Sequence, residues 1–419
     1  MPTLAIAIFV VLFAVATLRG IHLGVLMLPA AVAVGVWLGD TPVRTVVGGF
    51  PLNILVLIAG VTCFFGIAKG NGTIDGIIQR LLAVVDTRRG LLPFAFFVIT
   101  AGIATMGSSQ AGYVMIPLAM PAARRCGIDP MLMAVAINSG MSTGGFAPTS
   151  LFGIVTYQTA IENGIDLNPL TLLAAAAIAN VALLGAATWL FRGSGPVTPP
   201  RASAVEPVPD ATAPAPFASH HIVTIGCIIA LVLCVVIGFG LGFEPDIGII
   251  AFGLSAALAL AYPQAGAEGV RRIDWSTIFM VGGIVTFVGV LQRMDAVDLL
   301  GHAAMNLGTP LVAAFVICAI AGLVSAFAST TGILAALVPM AVPLAASGGV
   351  AGWALMSAMG VCASIVDASP FSTTGALLVA SAAEDERPRL KSLLTQWGLS
   401  MVIVGPVVAT VVLLLLGRS

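Results

Sequence analysis

Residues 138–150 read NSGMSTGGFAPTS, and they lie inside the apolar run 131–160. A bilayer's hydrocarbon core is about 30 Å thick, and about 20 mostly apolar residues cross it as a helix. This run exceeds that length, and its middle carries Asn138, Ser142, Thr143, Pro148, Thr149 and Ser150. Proline lacks a backbone donor and clashes with the preceding turn, so the pattern predicts a helix that stops before Pro148 and restarts after it. Residues 364–374, SIVDASPFSTT, repeat the design inside the run 351–382. Ser142, Pro148, Ser150 and Gly153 fall on Ser364, Pro370, Ser372 and Gly375 in one register.

The match extends upstream. Phe50–Asp75 aligns with Ile273–Asp298, so that Gly60, Phe64, Gly66 and Asp75 meet Gly283, Phe287, Gly289 and Asp298. Pro117, Ala119 and Pro121 meet Pro339, Ala341 and Pro343. Apolar residues match each other easily by chance, but prolines, glycines and serines in a common register indicate an internal repeat.

Composition sets the medium. Of 419 residues 59% are hydrophobic and only 8% charged, against about a quarter charged in soluble domains. That excludes a soluble globular protein, a disordered chain and a nucleic-acid binder. The net charge of −1 calls for no polyelectrolyte partner, and the six cysteines read as small apolar fillers, without metal spacing. Further apolar runs lie at 4–18, 22–38, 51–69, 169–191, 221–240, 246–261, 275–292 and 392–416. The expected fold is therefore an all-α membrane protein with about ten transmembrane helices, two of them broken. The first run follows Met1-Pro2-Thr3 without a basic segment and reads as a membrane helix, not a cleavable leader.

Two more apolar stretches, 91–123 and 310–346, are interrupted at Gly107-Ser108-Ser109-Gln110-Ala111-Gly112 and Ser329-Thr330-Thr331-Gly332. Each is too long for one span and too short for two, so both read as re-entrant hairpins, tolerated where protein or a water-filled cavity covers them. The expected division is an N-terminal repeat 1–192, a Pro/Ala-rich linker 193–219 and a C-terminal repeat 220–419. Five spans per repeat make the second repeat inverted, the architecture of secondary transporters. With both termini on one side, only Arg44, Arg293 and Arg418 of the 17 basic residues share it. The positive-inside rule then makes the linker face cytoplasmic and puts both termini outside a bacterial-type inner or plasma membrane.

The chemistry sits in the interruptions. A helix N-terminus carries roughly half a positive charge and unpaired N–H groups, and the interrupted C-terminal ends offer carbonyl oxygens. Four restarting helices converge to roughly +2 by that estimate, which suits an anion beside one or more small cations. The candidate anion-binding residues are Ser108, Ser109, Gln110, Ser329, Thr330 and Thr331 at the hairpin breaks, with Thr149, Ser150, Ser372 and Thr373 after the prolines. Asn138 either ligates a cation or pairs with another helix. Asp367 is the one carboxylate at apparent membrane depth and either binds Na⁺, carries a proton, or caps the helix after Pro370. No Lys or Arg lies in the breaks, so a co-bound Na⁺ or H⁺ is the natural source of compensating charge. Gly140-x-x-x-Gly144 resembles a close-packing motif, of low specificity in so glycine-rich a chain. Glu384–Lys391 reads as a solvated charged loop. A phosphate-cradling loop, a nucleophile elbow and a metal-ligand cluster are all missing, so the chain is read as neither an ATP-driven pump nor an enzyme.

Gly49-Phe50-Pro51, Ala59-Gly60-Val61-Thr62, Phe65-Gly66-Ile67-Ala68 and Asn71-Gly72-Thr73-Ile74-Asp75 resemble the N-terminal signature of the MatC-type malonate/dicarboxylate carriers. The whole is similar in architecture to the divalent-anion/Na⁺ symporters of the ion-transporter superfamily. That resemblance implies a homodimer, an elevator-type transport domain, no cofactor beyond the coupling ion, and a C3–C4 dicarboxylate, malonate foremost. The family's Ser-Asn-Thr tips correspond here to Ser108-Ser109-Gln110 and Ser329-Thr330-Thr331, without the central Asn. Its Na⁺ sites map onto Ser142, Thr143 and Gly145 and onto Ser364, Asp367 and Ser369. The alternative reading is a Na⁺/H⁺ antiporter on the same scaffold, working through Asp367.

Overall fold

The computed structural model describes residues 1–19, 21–77, 80, 89–107, 111–191, 217–241, 243, 245–296, 299, 309–326, 330–346 and 349–411. The linker expectation, apart from its last three residues, lies outside them. So do Ser108, Ser109, Gln110 and Ser329.

Among the described residues the regular structure is helical. The first half contributes α1 (Pro2–Arg19), α2 (Leu23–Trp37), α3 (Val43–Val47), α4 (Leu52–Gly70), α5 (Leu92–Thr105), α6 (Ala111–Cys126), α7 (Pro130–Gly145), α8 (Leu151–Glu162) and α9 (Pro169–Phe191). The second contributes α10 (Ser219–Gly240), α11 (Ile247–Ala261), α12 (Pro263–Arg271), α13 (Trp275–Arg293), α14 (Pro310–Ser325), α15 (Thr330–Ala346), α16 (Gly352–Ile365), α17 (Thr373–Ser381) and α18 (Arg387–Ala409). Four segments, Val43–Gly70, α9, α13 and α18, are long and apolar enough to cross a membrane by length and composition. Others are shorter than the expected runs. The 15 residues of α2, for example, rise only roughly 22 Å.

Both long broken runs divide as expected, into α7 and α8 and into α16 and α17. Each interrupted stretch, 91–123 and 310–346, forms two helices, α5 with α6 and α14 with α15. Helix α12 was not legible in the sequence. Its Gly266 and Gly269 lower helix propensity, yet Gly269 is what lets it lie on α4. A Cβ at Gly269 would stand 2.4 Å from the Ile67 side chain and 2.9 Å from the Cys63 carbonyl.

The halves interlock reciprocally. Helix α2 packs on α13, and α11 packs on α4. At the first crossing a Cβ on Gly24 would sit 2.0 Å from the Phe279 carbonyl, and one on Gly283 would sit 2.8 Å from the Gly24 carbonyl. At the second, a Cβ on Gly60 would sit 2.4 Å from the Gly248 carbonyl, and one on Gly248 would sit 2.7 Å from the Leu57 Cα. Gly60 and Gly283 are the matched glycines of the repeat, so one close backbone approach occurs twice, with the partners exchanged. The same exchange joins α8 to α15 and α17 to α6. Around them α5 packs on α7 and α14 on α16. Gly140 and Gly144 make the first of these tight: side chains there would strike the Phe97 and Ala101 carbonyls at 2.4 and 2.2 Å. The close-packing reading of that motif has a physical partner after all. Every residue of α7 is buried, so this interrupted helix is enclosed by protein, while Trp37, Trp189 and Leu260 face outward.

Candidate functional site

The two helix breaks fold alike. After Pro148 the Ser150 N–H donates to the Ala147 carbonyl at 2.9 Å, and after Pro370 the Ser372 N–H donates to the Ser369 carbonyl at 2.9 Å. Beneath these turns lie Gly153 and Gly375, where a Cβ would come within 2.1 Å of the Ala147 oxygen and 1.9 Å of the Ser369 oxygen. The matched glycines thus exist because the turned-back chain rests on the restarting helix.

The breaks differ in their polar groups. The Ser372 hydroxyl accepts the Gly375 N–H at 3.0 Å and shares its own proton between the Asp367 and Ser369 carbonyls. It is therefore Ser372, not Asp367, that caps the restarting helix. The Ser150 hydroxyl is buried without a partner among the described residues. A single 3₁₀ turn, Val366–Ala368, carries Asp367, where the first half has Gly145. That glycine has a packing reason: a Cβ there would meet the Phe152 ring at 2.6 Å.

Each hairpin end meets the break of its own half. The Thr149 hydroxyl donates to the Thr105 carbonyl at the end of α5. Gly107 turns the chain there with φ +78°, and a Cβ on it would lie 2.7 Å from Val61 and 3.3 Å from the Thr149 carbonyl. In the second half the Thr330 hydroxyl, at the start of α15, donates to Asp367 Oδ2 at 2.8 Å. Ser325 at the end of α14 lies 3.0 Å from that same hydroxyl. Thr331 is buried on the first turn of α15. Thr373 opens α17, and its side chain is outside the described ones.

The breaks also meet each other. The Ser142 hydroxyl donates to the Ser364 hydroxyl at 2.7 Å. These residues are equivalent in the repeat, and two equivalent atoms in contact must straddle the axis that relates the halves. Asn180 of α9 donates to Ser142 at 3.0 Å and to the Ala176 carbonyl at 2.9 Å. The Asn138 and Asn180 side-chain oxygens are buried acceptors without donors among the described residues. Thr143 spends its hydroxyl on the Ser139 carbonyl at 2.8 Å, and the Ser369 hydroxyl lies 3.4 Å from the Phe371 N–H. Of the sequence-derived cation set, Ser142 and Ser364 are thus joined across the axis. Thr143 is tied to its own helix, and Asp367 is held by a hairpin threonine. Asn180, Ser325 and Thr105 were missed. A lone amide at the middle of the apolar run 169–191 was the available signal for Asn180.

A cavity of about 370 Å³ opens beside the first hairpin. Its walls are the α4 residues Thr62, Phe65 and Lys69, the turn Met106–Gly107, Val114 of α6, Leu151 at the start of α8, and Arg271–Asp274. In the second half the equivalent pair of helices, α13 and α15, is packed together. The two mirror-related positions therefore differ, the first holding a cavity and the second filled by helix packing.

Residues 1–145 match the family model of the dicarboxylate carrier protein MatC N-terminus, and residues 247–419 match that of the citrate transporter family. The chain is thus similar to the MatC-type dicarboxylate carriers over its first part and to the citrate transporters over its last. The chain shares its fold with the YdaH transporter of Alcanivorax borkumensis, at 17% sequence identity and a TM-score of 0.61. The likeness covers 94% of this chain and 97% of that one. No curated protein sequence matches the chain. Together with the apolar helices, these matches make the chain an integral membrane protein and a secondary transporter of the dicarboxylate/citrate type.

Proposed function

We propose that this chain is a MatC-type carrier that imports a small dicarboxylate, malonate in the first instance, by symport with Na⁺. The observation that carries this reading is the meeting of both hairpin ends and both helix breaks around Ser142–Ser364 and Thr330–Asp367. Restarting helices present N–H groups to carboxylates, and Asp367 with nearby hydroxyls and carbonyls presents oxygen to a hard cation. With no Lys or Arg in the breaks, the charge of the dianion is offset by helix ends and cation together. The anion falls to Thr149, Ser150, Thr330, Thr331, Ser372 and Thr373, with the serines and Gln110 of the hairpin tips. The cation falls to Asp367, Ser364, Ser369, Asn138 and Ser142, with Thr330, which is bonded to Asp367, shared between the two.

The reading includes alternating access by an elevator movement, with α5–α9 and α14–α18 as the moving body on a scaffold of α2, α4, α11 and α13. It also includes a homodimer. The open gap beside α4 and the closed one beside α13 support two mirror-related states. Lys69, Arg271 and Arg272 lie at the open gap, and the positive-inside rule assigns their face to the cytoplasm, which supports reading the open gap as the inward-facing one. Uptake of radiolabelled malonate into proteoliposomes tests the proposal. Uptake driven by an inward Na⁺ gradient is expected. Uptake indifferent to both Na⁺ and pH gradients rejects coupling, and Na⁺/H⁺ exchange without malonate movement rejects the substrate.

A further inference from the structure

The open gap has a chemistry of its own. Its inner end is the first hairpin turn at Gly107, and its outer rim is charged. Two of the rim charges are already engaged: Arg272 pairs with Glu268 at 2.8 Å, and Asp274 accepts the N–H and hydroxyl of Thr277 at 3.0 and 2.6 Å. Lys69, Arg271 and Asp75 have no hydrogen-bond or ion-pair partner among the described residues and line the same cavity. Lys69 lies in the last turn of α4 and Arg271 ends α12, so two unengaged cations approach the cavity from separate helices. The mirror position of Lys69 in the repeat is Gln292, a neutral side chain that donates to Asn163 at 2.9 Å. The Lys69 charge is therefore not repeated at its mirror position.

We propose that this vestibule is a second, weak dicarboxylate site, through which the anion passes between the central site and the cytoplasm. Lys69 and Arg271 each take one carboxylate, and Asp75 keeps the site weak enough to release. A cavity of this volume is within the usual range for small-ligand pockets, roughly 300–1,000 Å³. Passage requires binding that is favourable enough to admit the ion yet weak enough to let it leave. Helix α12, which the hydrophobic pattern did not disclose, is what brings Arg271 to the rim. This inference rests on the dicarboxylate reading above.

The test is sided transport of malonate, using inside-out vesicles to present the vestibule face and right-side-out vesicles to present the other. Exposed charge pairs change affinity by about two- to five-fold each. Lys69→Gln and Arg271→Gln are expected to raise the malonate KM by that factor at the vestibule face alone, Lys69→Arg to restore it, and Asp75→Asn to lower it. In the unaltered protein, KM at that face rises with ionic strength more steeply than at the opposite face. Equal KM changes at both faces, or a salt dependence identical on both, overturn the vestibule site while leaving the carrier reading intact. Absence of malonate uptake by the unaltered protein overturns both.

Discussion

Asp367 sits on one 3₁₀ turn between two helices, half-buried, with a threonine hydroxyl of another helix donated to it. An acid placed so must be compensated, and the side chains met there are hydroxyls: Thr330 bonds it directly, and Ser325 lies behind Thr330. A hydrogen bond to a charged group contributes about 1.5–3 kcal/mol, or roughly ten- to hundred-fold in affinity. Thr330→Val is therefore expected to raise the Na⁺ concentration for half-maximal malonate uptake by about ten-fold or more, while Thr330→Ser stays near the original value. Asp367→Asn is expected to abolish Na⁺-dependent stimulation. Na⁺ titrations of initial uptake rate measure both, and stimulation unaltered in Asp367→Asn would remove this carboxylate from the coupling site. The residue was legible in the sequence as an acid in an apolar run. Its partner Thr330 was legible only as a hairpin hydroxyl, because the contact between them joins two elements that no spacing relates.

At the scale of elements, the broken helices were readable because proline and clustered hydroxyls interrupt apolar runs that are otherwise unbroken. What the sequence did not show is how unequal the two breaks are. Ser372 caps its helix and Ser150 does not. Removing a serine cap costs about 1 kcal/mol, so Ser372→Ala is expected to lower thermal stability in detergent measurably, and Ser150→Ala to leave it nearly unchanged. A common fall for both would show that the two restarts are capped alike. The glycines are predicted to behave equivalently. Gly153→Ala and Gly375→Ala each drive a methyl group into a carbonyl, an overpacking that costs about 1–3 kcal/mol. Their unfolding temperatures should fall together, because the turned-back chain lies on the restarting helix in both halves. Helix α12 escaped the sequence reading for the opposite reason. It is short, glycine-containing and polar on its outer side, so neither length nor hydropathy marks it, and only its contact with α4 gives it a reason to form.

At the scale of the molecule, the two halves are also tied by ions, and here charge reads differently from composition. Glu384–Lys391 was expected to be a solvated loop, yet α18 begins at Arg387, and Arg389 donates to Asp129 at 2.7 Å across the repeat boundary. The Asp129 side chain is 0% exposed and also caps α7 through the Met131 N–H at 2.8 Å. Nearby, Arg124 pairs with Asp385 at 2.7 Å, with the carboxylate 69% exposed. Hydrogen bonding from Arg124 holds the Asp385 carboxyl below its usual range. That pair's small contribution is therefore complete above the ordinary carboxylate pKa and disappears as pH falls through the lowered one. The two bridges look alike by distance and differ in their surroundings. Water replaces Arg124 readily for an exposed carboxylate, whereas loss of Arg389 leaves a buried one with a single backbone donor. Arg389→Gln is expected to cost about 1–3 kcal/mol, less than for a fully buried pair because the guanidinium is half-exposed, and Arg124→Gln is expected to change stability little. Thermal unfolding of both variants in detergent at neutral pH and moderate salt distinguishes them. An equal loss in the two would mean that the buried end of the Asp129 bridge adds nothing. The interlock of the halves would then rest on the glycine crossings of α2 with α13 and α4 with α11.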